Sequence, residues 1–198
     1  MTTYFLIRHA AHPELDRVLV GRMGGVRLGE LGRSQARRLA ECLERERITA
    51  VQSSPRERAS ETAAPIAQRA GLPFAIVSAL DEIEFGEWTG QPFTALKHDA
   101  RWIRWNTARA ASRPPGGETM HELELRVMRH LQALHATDPN GRIVLVSHAE
   151  VIRAAILHCL DMSLDDFARI DVAPATVSTI AFDHHGGCVV DLNQKVTL

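Results

Sequence analysis

The 198-residue chain has only three cysteines, one tyrosine and no excess of charge of either sign. Cys42, Cys159 and Cys188 are widely spaced and odd in number. They make neither a disulfide framework nor a paired-cysteine metal site, which points to a reducing cytoplasm. The 23 basic and 24 acidic residues leave a net charge of −1, so no global field draws nucleic acid or an anionic membrane. No apolar run approaches the ~20 residues needed to cross a bilayer. The opening MTTYFLIRHA lacks a basic leader, and its apolar run is too short for a signal peptide. Repeats and low-complexity tracts are missing as well. A soluble chain, 45% hydrophobic, is expected to fold as one domain over residues 1–198.

What is present is an alternation of short β-rich runs with helical periods. The runs fall at residues 4–7, 48–51, 74–77, 143–146 and 177–182. Between them, Leu31, Ala36, Leu39 and Leu43 share one helical face, as do Leu123, Val127, Leu131 and Leu134. Such alternation predicts a three-layer α/β/α domain with a doubly wound, mostly parallel sheet. YFLI and RIVLV are continuously apolar, as central strands covered on both faces should be. DHHGG reads as a hairpin turn with an antiparallel edge strand. The stretch 86–118, with three tryptophans and RPPGG, reads as a helical excursion and a loop over the sheet.

Both central runs end in histidine: FLIRHA in Arg8-His9, and IVLVSHAEVIR in Ser147-His148. In open α/β sheets, ligands bind beyond the carboxyl ends of the strands, where helix N-termini also gather. A third run is followed by SPRERASETA, in which Ser54 and Glu57 have capping-box spacing with Pro55 at the first helical position. This puts Arg56 and Arg58 in a first turn, where cations oppose the helix dipole unless an anion binds. A solvated surface charge suits Arg56 better than Arg58. In LDEIEFGEW, Asp81, Glu82, Glu84 and Glu87 alternate with apolar residues, and a carboxyl held among them can stay protonated as an acid. Spacing does not choose among the four. Two histidines, two arginines and a proton donor suit a dianionic phosphoryl group, with imidazole as nucleophile.

These stretches together resemble the histidine phosphatase superfamily over nearly the whole chain. Arg8-His9-Ala10 is similar to its Arg-His-Gly opening. LGELGRSQARRLAECL resembles its Leu-Thr-x-x-Gly-x-x-Gln-Ala segment, and SSPRERASETA its Ser-x-x-x-Arg-Ala-x-x-Thr-Ala motif. LDEIEFGEWTG, PGGET and SHAEVIR follow in the family order. The resemblance implies His9 as nucleophile, His148 as its catalytic partner, Glu82 as general acid, and Arg8 and Arg58 as phosphate ligands. It implies hydrolysis of a small phosphorylated metabolite through a phosphohistidine, without cofactor or metal.

The chain departs from the family pattern at Ala10 and Ala149, where glycine is usual, at Gly29, and at Leu15, where a substrate-contacting Asn often lies. Arg22, among glycines, is a further candidate phosphate ligand, with a surface loop role as the alternative. Trp88, Phe93, Trp102 and Trp105 either form a lid over the leaving group or pack the excursion against the body. His98, His121, His130, His135, His158, His184 and His185 show no ligand spacing and read as solvated or core residues. A phosphoglycerate or phosphosugar mutase is the rival enzyme, and the compact stretch between Glu82 and His148 favours hydrolysis over it. A non-catalytic phospholigand-binding protein is the rival of another class, but binding alone needs no protonated carboxyl.

Overall fold

The computed structural model describes residues 1–195; residues 196–198 of the expected domain lie outside them. Six strands form one sheet: β1 (Thr2–Arg8), β2 (Ala50–Ser53), β3 (Phe74–Ile76), β4 (Arg142–Ser147), β5 (Thr176–Asp183) and β6 (Gly186–Lys195). Their order is β3-β2-β4-β1-β5-β6. The first four in this order are mutually parallel, β5 runs against β1, and β6 runs against β5. The expected antiparallel edge is therefore a hairpin in which β5 alone opposes the general strand direction. β2 begins two residues later than its apolar run, and Arg47 before it takes a left-handed conformation (φ 49°).

Four long helices cover the sheet: α1 (Glu30–Leu43) and α2 (Glu57–Ala70) on one face, and two from the C-terminal half on the other. Between the two halves, the excursion forms a 3-10 turn (Gly86–Trp88) and the short helices α3 (Phe93–Leu96) and α4 (Ala100–Trp105). The second pair of long helices is α5 (Met120–Thr137) and α6 (Ala149–Cys159). The period-2 alternation of β1 and β4 divides the core. Tyr4, Leu6, Ile143 and Leu145 pack with α5 and α6, while Phe5, Ile7, Val144 and Val146 pack with α1 and α2. Because both faces are covered, the central strands need no polar side. On α1 the inward residues are Gly32, Ala36, Leu39, Ala40 and Leu43; Leu31, expected on that face, is 64% exposed.

This winding fixes where a ligand can sit. The chain leaves β1 toward α1 on one face and leaves the adjacent β4 toward α6 on the other. A crevice must open between the carboxyl ends of these neighbours.

One close approach shapes the loop at the crevice. Gly29 N–H donates to the Ala11 carbonyl (3.2 Å), and a Cβ at Gly32 would lie 2.0 Å from the same oxygen. Only glycine lets α1 lie this near the loop. Gly32→Ala is accordingly expected to lose roughly 2 kcal/mol of stability by overpacking. In urea or thermal unfolding the midpoint should fall by several degrees or its denaturant equivalent; an unchanged midpoint would contradict the packing described.

Candidate active site

Arg8 ends β1 opposite Ser147, the last residue of β4, and His9 N–H continues the ladder to the Ser147 carbonyl (2.9 Å). His9 and His148 therefore emerge side by side, with ring centroids 5.2 Å apart. β2 joins from the other side of β4, where Ser54 N–H donates to the Val146 carbonyl (2.9 Å). Three adjacent parallel strands thus release their polar ends into one crevice.

The hydrogen bonds of each imidazole assign its tautomer. His9 Nδ1 lies 3.0 Å from the Ala10 carbonyl, which can only accept, so Nδ1 carries the hydrogen and Nε2 keeps its lone pair. Burial, followed by the charges of Arg58 and Arg8, holds this imidazole well below the usual range, so it is neutral. At His148 the order is reversed. Arg58 Nη2 donates to Nδ1 (3.2 Å), which leaves the hydrogen on Nε2 for Ser54 Oγ (2.7 Å). Ser54 Oγ in turn reaches Asp81 Oδ1 (3.3 Å). His148 caps α6, and its titration is depressed for the same leading reason, burial.

Two arginines bring positive charge to the same place. Arg58, 1% exposed, donates through Nη2 to the Gly21 carbonyl (2.7 Å), and Arg8 Nη1 donates to the Val172 carbonyl (2.6 Å). Arg58 Nε and Nη1 and Arg8 Nε are buried with no partner among the described residues. Burial pushes Arg58 down to about 10, and it stays charged at neutral pH. Unpaired buried donors on a cation cost free energy until an acceptor arrives. An oxyanion with several oxygens answers that demand.

The structure separates the four carboxylates that spacing left equivalent. Asp81 is gripped by Arg56 through Nε (2.9 Å) and Nη2 (2.8 Å). Glu84 accepts from Gly86 N–H (3.1 Å) and pairs with Arg22 (3.5 Å), and Glu87 faces solvent beside Arg101 (3.3 Å). Glu82 alone of the four lines the crevice, with Oε2 4.0 Å from His148 Nδ1. Burial, and then the charge of Glu150, raise its pKa to about 7.

Arg8, His9, Arg58 and Glu82 wall one end of a cavity of about 340 Å³; His148, fully buried, is not among its lining residues and reaches it through Arg58. The other end carries Phe93, Trp102 and Trp105 from the excursion. Trp88, expected with them, is packed beneath instead, its indole N–H donating to Asp99 (3.2 Å). A larger hollow of about 410 Å³ between Leu31 and Pro174 holds no histidine or carboxylate.

Several sequence expectations are corrected. Arg22 does not line the cavity; it donates to the Glu82 carbonyl (2.7 Å) and to Glu118 (3.0 Å), bracing the acidic loop from behind. Arg56 is not a solvated charge but the clamp on Asp81. The Ser54–Glu57 capping box does not form: α2 starts at Glu57, after Pro55, and Arg56 is its N-cap. Ser54 serves His148, and Glu57 accepts from Gly25 N–H (2.9 Å). Sequence reasoning missed His12, Arg109, Glu150 and Arg153, all of which line the cavity. Arg109 stacks between Trp105 (3.9 Å) and Phe167 (3.4 Å) and pairs with Glu150, which also binds Arg153 (2.8 Å). Glu150 and Arg153 stand in SHAEVIR with the i, i+3 spacing of a helical ion pair, which could have flagged them. Arg109, in an irregular segment, leaves no such signal.

No helix among the described residues is long and apolar enough to cross a membrane. A family model described as the histidine phosphatase superfamily, branch 1, matches residues 4–195. Phosphoserine phosphatase 1 of Hydrogenobacter thermophilus is 29% identical over 198 residues, covering 98% of this chain and 92% of its own. Glucosyl-3-phosphoglycerate phosphatase of Mycobacterium tuberculosis is 31% identical over 156 residues, covering 72% of this chain and 70% of its own. The structure of Bacillus stearothermophilus YhfR superimposes with a TM-score of 0.92 at 23% identity, covering 100% of both chains, which shows the shared fold.

The buried imidazoles dictate a pH response. His9 and His148 titrate well below 6.5 when folded, and His12 falls to about 4, whereas the unfolded chain takes up these protons near 6.5. Their contribution to stability is therefore present above 6.5 and lost as pH falls below it. Glu82, raised from 4.5 to about 7, opposes them between those values, one group against three. Urea unfolding should show lower stability at pH 5 than at pH 6.5, and His148→Gln should make that slope shallower. A flat or inverted profile would refute the neutral-imidazole description.

Proposed function

The chain belongs to the histidine phosphatase superfamily, and from that membership we propose that it hydrolyses phosphomonoesters of small metabolites through a phosphohistidine formed on His9. The observation that carries this reading is one pairing in the crevice. An imidazole with its Nε2 lone pair fixed outward lies beside three buried guanidinium nitrogens that lack acceptors.

In the first step His9 Nε2 attacks phosphorus in line, and the bond from phosphorus to the ester oxygen breaks with its electron pair leaving on oxygen. Glu82, protonated, gives its proton to that oxygen, so the leaving group departs as a neutral alcohol. Arg8 and Arg58 spread the charge of the equatorial oxygens, and His148, whose Nδ1 accepts from Arg58, holds that guanidinium in place. In the second step the Glu82 carboxylate takes a proton from water, the water oxygen attacks phosphorus, and the phosphorus–nitrogen bond breaks, returning the electron pair to His9. A carboxyl that titrates at about 7 suits both halves of this cycle near neutral pH. The positive charge comes from the two arginines, so turnover needs no divalent cation. The relatives named phosphatases favour water over a second substrate alcohol as acceptor. Phe93, Trp102 and Trp105 give the leaving group an apolar surface to lie against.

Brief reaction with a phosphorus-labelled aryl phosphate, quenched under alkaline conditions, should trap a base-stable, acid-labile adduct that is missing in His9→Ala. An adduct that persists in His9→Ala would remove His9 from the role, and transfer of label to an added alcohol in preference to water would identify a mutase.

Glu82→Gln should slow cleavage of alkyl phosphates by roughly 100-fold while affecting the first step of an activated aryl phosphate far less. The same change at Glu84 should leave that contrast as in the wild type. Equal losses for good and poor leaving groups would mean that Glu82 positions substrate without donating a proton.

A further inference from the structure

The loop after β1 carries a third histidine, for which the two-step reaction above has no use. His12 is 8% exposed and lines the cavity with Arg8, His9, Arg58 and Glu82. Its ring centroid is 5.3 Å from that of His9, as close to the candidate nucleophile as His148 is at 5.2 Å. His12 Nδ1 is buried with no hydrogen-bond partner among the described residues.

The loop holds this ring firmly. Ala10 N–H donates to Thr62 Oγ1 (3.0 Å), Ala11 N–H to Gln35 Oε1 (2.9 Å), and Leu15 N–H back to the His12 carbonyl (3.1 Å). A neutral imidazole always keeps one N–H and one lone pair. Holding such a polar ring unpaired against two buried guanidinium groups is unfavourable in the empty site. A phenyl ring would pack there at lower cost if packing were the whole role. The charged groups facing His12 are Arg58, Arg8 and Asp16; burial first, and then the two guanidinium charges, hold it down to about 4 against the opposing pull of the Asp16 carboxylate. It therefore meets the substrate uncharged, and the arrival of a dianion turns its surroundings from cationic to neutral or negative.

We propose that His12 is a further catalytic residue, whose ring N–H donates a hydrogen bond to a non-bridging oxygen of the phosphoryl group during its transfer to and from His9. The proposal rests on the phosphomonoesterase reading for its turnover consequences, but its binding consequence is independent. A preset donor that finds its acceptor only when the phosphoryl group is present favours the transferring state over the empty site.

The test compares His12→Phe, which keeps a ring, with His12→Gln, which keeps an N–H donor. His12→Phe should lower kcat/KM by about 10- to 100-fold for good and poor leaving groups alike, and should weaken binding of vanadate by a similar factor in calorimetry. His12→Gln should recover most of both losses, and the thermal midpoint of His12→Phe should not fall. Wild-type kcat/KM and vanadate affinity in His12→Phe would overturn the proposal. Failure of the wild type to hydrolyse any phosphomonoester would instead overturn the functional reading, and the vanadate comparison would still decide the role of His12. Should His12→Phe not fold, nitrogen-15 spectra of the wild type replace it: vanadate must move the His12 ring signals, and signals that stay in place would overturn the proposal.

Discussion

Two buried guanidinium groups, Arg8 and Arg58, carry no carboxylate partner of their own among the described residues, and much of the local structure is arranged around that fact. The acids packed around Glu82 are assigned to other arginines. Asp81 goes to Arg56, Glu84 and Glu118 to Arg22, and Glu150 to Arg109 and Arg153. The field inside the crevice therefore stays positive. That field, added to burial, keeps both strand-end imidazoles neutral, and neutrality is what a nitrogen nucleophile requires. Glu82 is the one acid left to respond to low dielectric, and its pKa rises accordingly.

The same residues join elements distant in the chain. Ser54 follows β2, His148 follows β4, and Asp81 sits in the acidic loop, yet one hydrogen-bond path runs through all three. Arg56 closes it by holding both oxygens of Asp81 while its Nη1 donates to the Arg22 carbonyl (2.6 Å). Arg22 then supports the Glu82 main chain. Residues outside the cavity thus set the orientation of those that line it, which is the usual way a site geometry is kept rigid.

Much of this was legible in the sequence where one local rule sufficed. β1 and β4 were plain because strands covered on both faces must be continuously apolar, and the histidines that end them were visible as abrupt breaks in those runs. The resemblance to a family then selected Glu82 among four acids that spacing could not rank. Where two local rules competed, the sequence misled. Ser54 has the spacing of a helix cap, but a buried imidazole is a stronger claim on its hydroxyl than an amide at a helix end. Leu31 fits an apolar period, yet the tight approach of Gly32 to Ala11 turns the helix so that Leu31 faces out. Arg22 stands among glycines that suggest an anion loop, but its partners come from residues 82, 84 and 118, which only the fold brings near.

Arg109 was invisible for a related reason, and its place shows how the excursion takes part in the site. Its guanidinium lies between Trp105 and Phe167, so that aromatic faces share in compensating its burial. From there it pairs with Glu150 at the start of α6, and the charge of Glu150 is the second cause, after burial, of the raised pKa of Glu82. The aromatic wall of the cavity is therefore linked electrostatically to the candidate acid. If the excursion moved away, Glu150 would lose one of its two cations, and its uncompensated charge would bear more strongly on Glu82. The proton affinity of the candidate acid thus depends on an aromatic segment that contributes no proton itself.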